Sequence, residues 1–342
     1  MRRELVTSGL DHRQAELAVR EKFAFTKEKT ALSLSALVNS GAVDGAVIIS
    51  TCNRTELYAT VRHGSGFEPA RALCEMVDVD YAPYAMYLST WAGEAAIEHL
   101  SRVASGLDSQ ILGDDQIITQ TREALEFSRS QSCTDSYTER IFNIAIQAAK
   151  AIKTEVILKT LGTGSAPENA VAKLKTYFPM KDRKAVVIGN GQMGRLASDL
   201  LIREGVQVTV TLREYKKGVV VVPKGADTIN YSRRYEAIEQ ADVVISATTS
   251  PHYTLRQEEL SELKRLPEVV VDLAIPRDVE PSVGELPGLT LLTIDDIAGE
   301  GRTLPPDSVA KAESIIAEHI VKYDRWRAYK EGAAINEAGV TA

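Results

Sequence analysis

The feature that most constrains the fold lies past the middle of the chain, where Lys184-Ala185-Val186-Val187-Ile188 runs into Gly189-Asn190-Gly191-Gln192-Met193-Gly194 and then a helical segment over 195–204. A short apolar run, a G-x-G-x-x-G turn and a helix stand here in the order that a dinucleotide phosphate requires. The first glycine makes the tight turn, the second lets backbone approach a pyrophosphate, and the third lets helix and strand pack closely. Gly189, Asn190, Gly191, Gln192, Met193 and Gly194 are therefore the cofactor-binding candidates. The strand predicted over 206–212 ends at Arg213, where an NAD site usually places an acidic residue for the ribose hydroxyls. Arg213, with Lys216 and Lys217 behind it, suits a 2′-phosphate and so favours NADPH; a solvated basic loop is the alternative. Apolar runs over 242–247, 269–274 and 289–294 fit further strands of a parallel sheet covered on both faces. Residues 248–251 and 275–278 then fall beyond the carboxyl ends of strands, where ligands of such sheets bind. Residues 216–225 read as extended chain with turns, in place of a regular crossover helix.

A second constraint is Ser50-Thr51-Cys52-Asn53-Arg54-Thr55-Glu56, which follows the apolar run Ala46-Val47-Ile48-Ile49. Cys52 sits where a buried strand gives way to a loop, and a thiol exposed there is a strong nucleophile once its pKa is lowered. Arg54 could supply part of that lowering, or hold a carboxylate bidentately. A small buried hydrophobe is the competing reading of a lone cysteine. Around it the pattern predicts strands over 4–10 and 56–61, helices over 14–23, 27–39 and 67–78, and a helical region from Gly93 onward with Ala96, Leu100, Val103 and Leu107 on one face. His99 projects from that region, either as a structural hydrogen-bonding group or as a catalytic one.

The expected fold class is α/β, in three parts. Residues 1–156 form an α+β catalytic domain, 157–304 a Rossmann-type NADP-binding domain with a parallel sheet, and 305–342 a long C-terminal helix that starts near Asp307 after Pro305-Pro306. The glycine-containing stretch Leu161-Gly162-Thr163-Gly164-Ser165-Ala166-Pro167 reads as a hinge about which the two domains close. A net charge of −7 and a pI near 5.5 argue against a surface coated for nucleic acid, though not against a local basic patch. Three cysteines at spacings that make no zinc knuckle or CxxC pair point to reduced thiols, a cytoplasmic address and no metal site. No apolar stretch is long enough to span a bilayer, so no membrane association is expected.

On Gly9-Leu10-Asp11-His12-Arg13, on the Ser50 to Glu56 motif, on His99 with Arg102-Val103-Ala104-Ser105-Gly106-Leu107-Asp108-Ser109, and on Asp272-Leu273-Ala274-Ile275-Pro276-Arg277-Asp278, the chain resembles the glutamyl-tRNA reductase family. The motifs occur in the family's order and cover most of the chain up to the last helix. The resemblance implies attack of Cys52 on the ester joining glutamate to the 3′ end of tRNA(Glu), then reduction of the thioester by NADPH to glutamate-1-semialdehyde, the first step of tetrapyrrole (porphyrin) biosynthesis. It implies that Thr51, Asn53, Arg54, Ser109 and Gln116 bind substrate and that His99 orients groups or moves a proton, and it makes the aminomutase that consumes the aldehyde a candidate partner. The chain departs from the family pattern at Gln14, at Asp114-Asp115, and just after the hinge. It also stops soon after the last helix, whereas family members continue into a helical dimerisation domain, so a monomer or a dimer through the remaining helix are both open. A reductase of another glutamyl or acyl donor, and a non-catalytic regulatory paralogue, are the other readings.

Overall fold

In the computed structural model, which describes residues 2–109, 115–156, 165–213, 221–250, 252–297 and 305–332, the pattern around Gly189 opens a six-stranded parallel sheet. The chain divides into two units, one of Met1–Gly162 with Arg302–Ala342 and one of Thr163–Gly301. Residues 161–164 of the expected hinge, Gly113, Asp114, Lys216, Lys217 and Pro251 lie outside the described residues.

The first unit runs β1 (Arg3–Asp11), α1 (Leu17–Lys22), α2 (Lys27–Asn39), β2 (Gly45–Ser50), β3 (Arg54–Arg62), α3 (Pro69–Met76), α4 (Tyr81–Tyr84), β4 (Ser89–Ala92), α5 (Glu94–Ser105), α6 (Asp115–Ser130) and α7 (Ser136–Glu155). Its sheet has the order β2-β3-β1-β4 and is antiparallel throughout. Because strand side chains alternate between faces, Leu5, Val47, Ile49 and Tyr58 enter one core while Val6, Ala46, Ile48 and Leu57 enter another. The first core is closed by α5 and α7, the second by α1, α2 and α3. The aromatic-rich residues 81–91 form α4, a 3₁₀ turn and the start of β4.

The second unit continues α8 (Ala166–Leu174), β5 (Lys184–Ile188), α9 (Gln192–Arg203), β6 (Gln207–Leu212), β7 (Asp227–Asn230), α10 (Arg234–Ile238), β8 (Val243–Ser246), α11 (Gln257–Ser261), β9 (Val269–Asp272), β10 (Thr290–Thr293) and α12 (Ile294–Ile297). The order β10-β9-β8-β5-β6-β7 is that of a dinucleotide-binding sheet, reversing direction beside β5. Strands β5, β8 and β9 are largely apolar because both of their faces are covered, whereas β7 is an edge strand with Asp227 and Thr228 exposed. An exposed edge strand carries no apolar run, so its pattern does not mark it as a strand.

The last helix, α13 (Pro306–Lys330), belongs to the first unit. Ala312, Ile315, Ile316, Ile320 and Tyr323 recur at helical spacing and join the α5–α7 core. It is therefore part of that unit's interior and not an appendage. Both tryptophans, Trp91 and Trp326, lie in the same unit, so their fluorescence follows its unfolding. Ile316→Ala is expected to destabilise that unit by about 2–5 kcal/mol in urea titrations read by this fluorescence. A change under about 0.5 kcal/mol, the range of ordinary surface substitutions, would contradict α13 as a core element.

Candidate active site

The β2–β3 hairpin folds tightly because Ser50 pairs with Thr55 and the Thr51 amide donates to the Arg54 carbonyl at 2.8 Å. Cys52 is at the tip. Its loop is clamped from outside: the Arg20 guanidinium donates to the Cys52 carbonyl at 2.6 Å, the His12 amide to the Asn53 carbonyl at 2.9 Å, and the Phe25 amide to Ser50 Oγ at 3.3 Å. Within the loop, the Asn53 amide donates to Thr51 Oγ1 at 3.2 Å. Asn53 Oδ1 is buried without a hydrogen-bond partner, an open acceptor position next to the thiol residue. Cys52 is partly exposed, while Cys74 and Cys133 are buried. Burial pushes the Cys74 thiol up, which makes it inert.

Beneath the loop, Arg54, Glu56 and Tyr58 alternate onto one face of β3 and meet in the interior. Arg54 Nη1 bonds Glu56 Oε1 at 2.6 Å, and its Nη2 donates to the Asp108 carbonyl and lies 3.9 Å from Asp11. Glu56 also accepts from the Tyr58 hydroxyl and lies 3.0 Å from His99 Nε2. Burial by itself would raise the Glu56 pKa, but Arg54, His99 and Tyr58 outweigh it and hold the carboxyl down at about 2. An ionised Glu56 only accepts, so His99 Nε2 carries the proton. The imidazole lies flat on Trp91, with ring centroids 3.7 Å apart and planes 10° apart. His12, whose amide holds the loop, has its pKa pushed down to about 4, chiefly by burial and further by Arg54, Arg13 and Arg20, against the pull of Asp11. Its imidazole is therefore neutral near pH 7.

The structure thus gathers Thr51, Cys52, Asn53, Arg54 and His99, and ties in Ser109 through its neighbour Asp108. Gln116 lies in the first turn of α6, partly buried. Arg54 differs from the expectation of an open carboxylate clamp. It is 2% exposed and spends its guanidinium on Glu56 and Asp108, so it braces the loop from within. The sequence reading did not assign Arg20, Glu56, Tyr58 or Trp91. The alternation Arg54, Glu56, Tyr58 on a strand was the available signal, since opposite charges two residues apart share a face.

In the second unit, Gly189 has φ +106°, and a side chain there would meet the Ala247 carbonyl. A Cβ on Gly194 would fall 1.9 Å from the Gly189 carbonyl, whereas one on Gly191 would meet nothing within 4 Å. Gly191 caps α9, and Gln192 and Met193 are its first residues. The open ground at Gly191 beside two closed glycines is what a bound pyrophosphate needs. Asn190 Nδ2 donates to the Val221 carbonyl at 2.9 Å and anchors the turn. Arg213 lies over the Tyr231 ring at 4.6 Å, just past the end of β6. Asp278, fully buried, accepts from Ser246 Oγ and from the Thr248 amide, each at 2.7 Å, and so fixes the loop after β8 against the loop after β9. Asp272 is pushed up to about 7 by burial, with Asp278 acting in the same direction. Among the described residues no His, Cys, Asp and Glu cluster could hold a metal, and no helix is long and apolar enough to cross a membrane.

Comparison with known proteins matches residues 8–156 to the N-terminal domain of glutamyl-tRNA(Glu) reductase and residues 170–299 to shikimate/quinate 5-dehydrogenase. The chain is 40% identical to the glutamyl-tRNA reductase of Alkaliphilus oremlandii, over 96% of its own length and 98% of that protein. It is 39% identical to the glutamyl-tRNA reductase of Acetivibrio thermocellus, with coverage of 96% and 98%. It is 38% identical to a probable multifunctional siroheme biosynthesis protein of Ruminiclostridium josui, of which it spans 65%. Among solved structures, that of glutamyl-tRNA reductase from Methanopyrus kandleri is 26% identical, covering 94% of this chain and 82% of that one, with a TM-score of 0.47.

Two outcomes follow from these geometries. The stability that Glu56 lends is complete above its ordinary value near 4.5 and is lost as pH falls towards 2. Glu56→Gln is therefore expected to cost about 3–5 kcal/mol at pH 7, because it leaves buried Arg54 without its nearest counter-charge, with the gap to wild type closing between pH 4.5 and 2. A gap independent of pH, in urea titrations read by tryptophan fluorescence, would contradict an ionised buried Glu56. In the glycine turn, Gly191→Ala is expected to weaken nucleotide binding without lowering Tm, while Gly194→Ala lowers Tm by several degrees. Calorimetric titration and thermal melts of both variants check this, and equal loss of Tm in the two would contradict it.

Proposed function

The chain belongs to the glutamyl-tRNA reductase family, and on that premise we propose that Cys52 is the reaction's nucleophile and NADPH its reductant. As a glutamyl-tRNA reductase the protein catalyses the first step of tetrapyrrole biosynthesis. The observation that carries the assignment to Cys52 is its place at a clamped hairpin tip, partly open, while the other two cysteines are buried.

The Cys52 thiolate attacks the ester carbonyl of glutamyl-tRNA. A C–S bond forms, the C–O bond to the terminal ribose breaks, and the ribose oxygen takes up a proton as the tRNA leaves. A glutamyl thioester remains on Cys52. NADPH held at residues 189–194 and Arg213 would supply the hydride for reduction of this thioester; cleavage of the C–S bond returns the thiolate to Cys52 and releases glutamate-1-semialdehyde.

Thr51, Asn53, Ser109 and Gln116 bind the glutamyl group. Asn53 has the unsatisfied carbonyl oxygen to accept from it; the reversed amide would instead donate towards the thioester oxygen. Arg54 acts from below, lending its charge while Glu56 holds it, and His99 orients the cluster through the same carboxylate. The nucleotide is held by Gly189, Asn190, Gly191, Gln192, Met193 and Gly194, with Arg213 taking the 2′-phosphate that distinguishes NADPH. The aldehyde is reactive, so the enzyme hands it to the aminomutase that consumes it, in the cytoplasm.

Single-turnover reaction with glutamyl-tRNA and NADPH tests this reading. Wild type is expected to form semialdehyde, with NADPH preferred over NADH, and Cys52→Ser to be slower by roughly 10⁴-fold or more. Semialdehyde formed by Cys52→Ser at the wild-type rate would overturn the assignment.

A further inference from the structure

Any RNA whose 3′ ester reaches Cys52 must lay its last nucleotides across whatever flanks the hairpin tip. Among the described residues, three segments do so. Residues 12–16 approach through the His12 amide, 106–109 through the Asp108 carbonyl, and 20–29 through Arg20 and the Phe25 amide. In the first, Arg13 is paired with Asp11 at 2.5 Å and lies 3.4 Å from Asp108. In the second, Asp108 is a carboxylate, shared with Arg102 at 3.2 Å. The third differs in sign. The stretch Arg20-Glu21-Lys22-Phe23-Ala24-Phe25-Thr26-Lys27-Glu28-Lys29 has four basic and two acidic side chains in a protein of net charge −7.

Its lysines are also placed by aromatic rings. Lys22 Nζ bonds the Tyr84 hydroxyl at 2.7 Å and lies 5.3 Å from that ring's centroid, and Lys29 Nζ lies 5.4 Å from the Phe25 centroid. Lys27 is exposed. Basic groups interleaved with aromatic residues beside a single-stranded path are the usual chemistry of sequence-tolerant RNA contact. We propose that residues 22–29 receive the single-stranded 3′ end of the tRNA, with Lys22, Lys27 and Lys29 meeting its phosphates beside the Cys52 loop. This rests on the glutamyl-tRNA reading above and names the surface that reading lacks. It also reconciles an acidic chain with an RNA substrate, because the needed charge is local.

The test compares wild type, Lys27→Ala/Lys29→Ala, and a control with two lysines of the second unit removed, Lys173→Ala/Lys181→Ala. The first double variant is expected to raise the KM for glutamyl-tRNA about tenfold, and to flatten the plot of log affinity for uncharged tRNA against log salt by about 0.7 per lost phosphate contact. NADPH affinity and Tm stay at wild-type values, and the control shifts neither KM nor slope. An unchanged KM and slope in the first variant, or an equal shift in the control, overturns the proposal and leaves the reaction assignment intact. Wild type that makes no semialdehyde from glutamyl-tRNA overturns the assignment itself.

Discussion

The first unit depends on one buried charge pair. Arg54 and Glu56 sit on the same face of β3 at 2.6 Å, both nearly sealed from solvent. Neither charge is tolerable alone in that interior, so each fixes the other, and their remaining hydrogen-bonding positions recruit the surroundings. Through Glu56 the pair holds Tyr58 and His99, and through Arg54 the Asp108 carbonyl and the end of β1. A strand, a helix and the turn after that helix are thus tied to a point just below the β2–β3 hairpin tip. A buried pair of this kind adds little net stability, but it defines one arrangement of its neighbours.

The consequence is a thiol on a rigid support. Arg20, His12 and Phe25 hold the loop from outside while Arg54 braces it from inside, so little ordering remains to be done when substrate arrives. The second unit solves a different problem with the same economy. Gly189 and Gly194 are closed against backbone and Gly191 is open, so a single turn both packs the sheet and leaves ground for a phosphate. Asp278 does for the loops past β8 and β9 what Glu56 does for the hairpin, a buried carboxylate bridging segments that share no sequence neighbourhood.

Much of this was legible in the sequence, for physical reasons that differ by element. The β5 strand and its glycine turn are readable because only glycine fits at Gly189 and Gly194, and α13 because its apolar residues recur at helical spacing. What α13 packs against was not readable, since a periodic face does not name its partner. The edge strand β7 escaped because an exposed strand need not be apolar. Cys52 stood out by its motif, but Arg20 did not, as a cation bonding a carbonyl far along the chain leaves no local pattern. Arg54 was legible as important and not as buried, because the burial comes from Glu56 and Asp108 closing over it.

The central claim is that the partly open thiol at the hairpin tip, and neither buried one, forms the covalent intermediate. The most direct measurement mixes the enzyme with glutamyl-tRNA in the absence of nicotinamide cofactor, quenches in acid, and maps the glutamyl group by peptide mass spectrometry. The account expects one glutamyl group on the peptide carrying Cys52 and none on those carrying Cys74 or Cys133. A glutamyl group on Cys74 or Cys133, or none on Cys52 in a preparation that makes semialdehyde once NADPH is added, would contradict it.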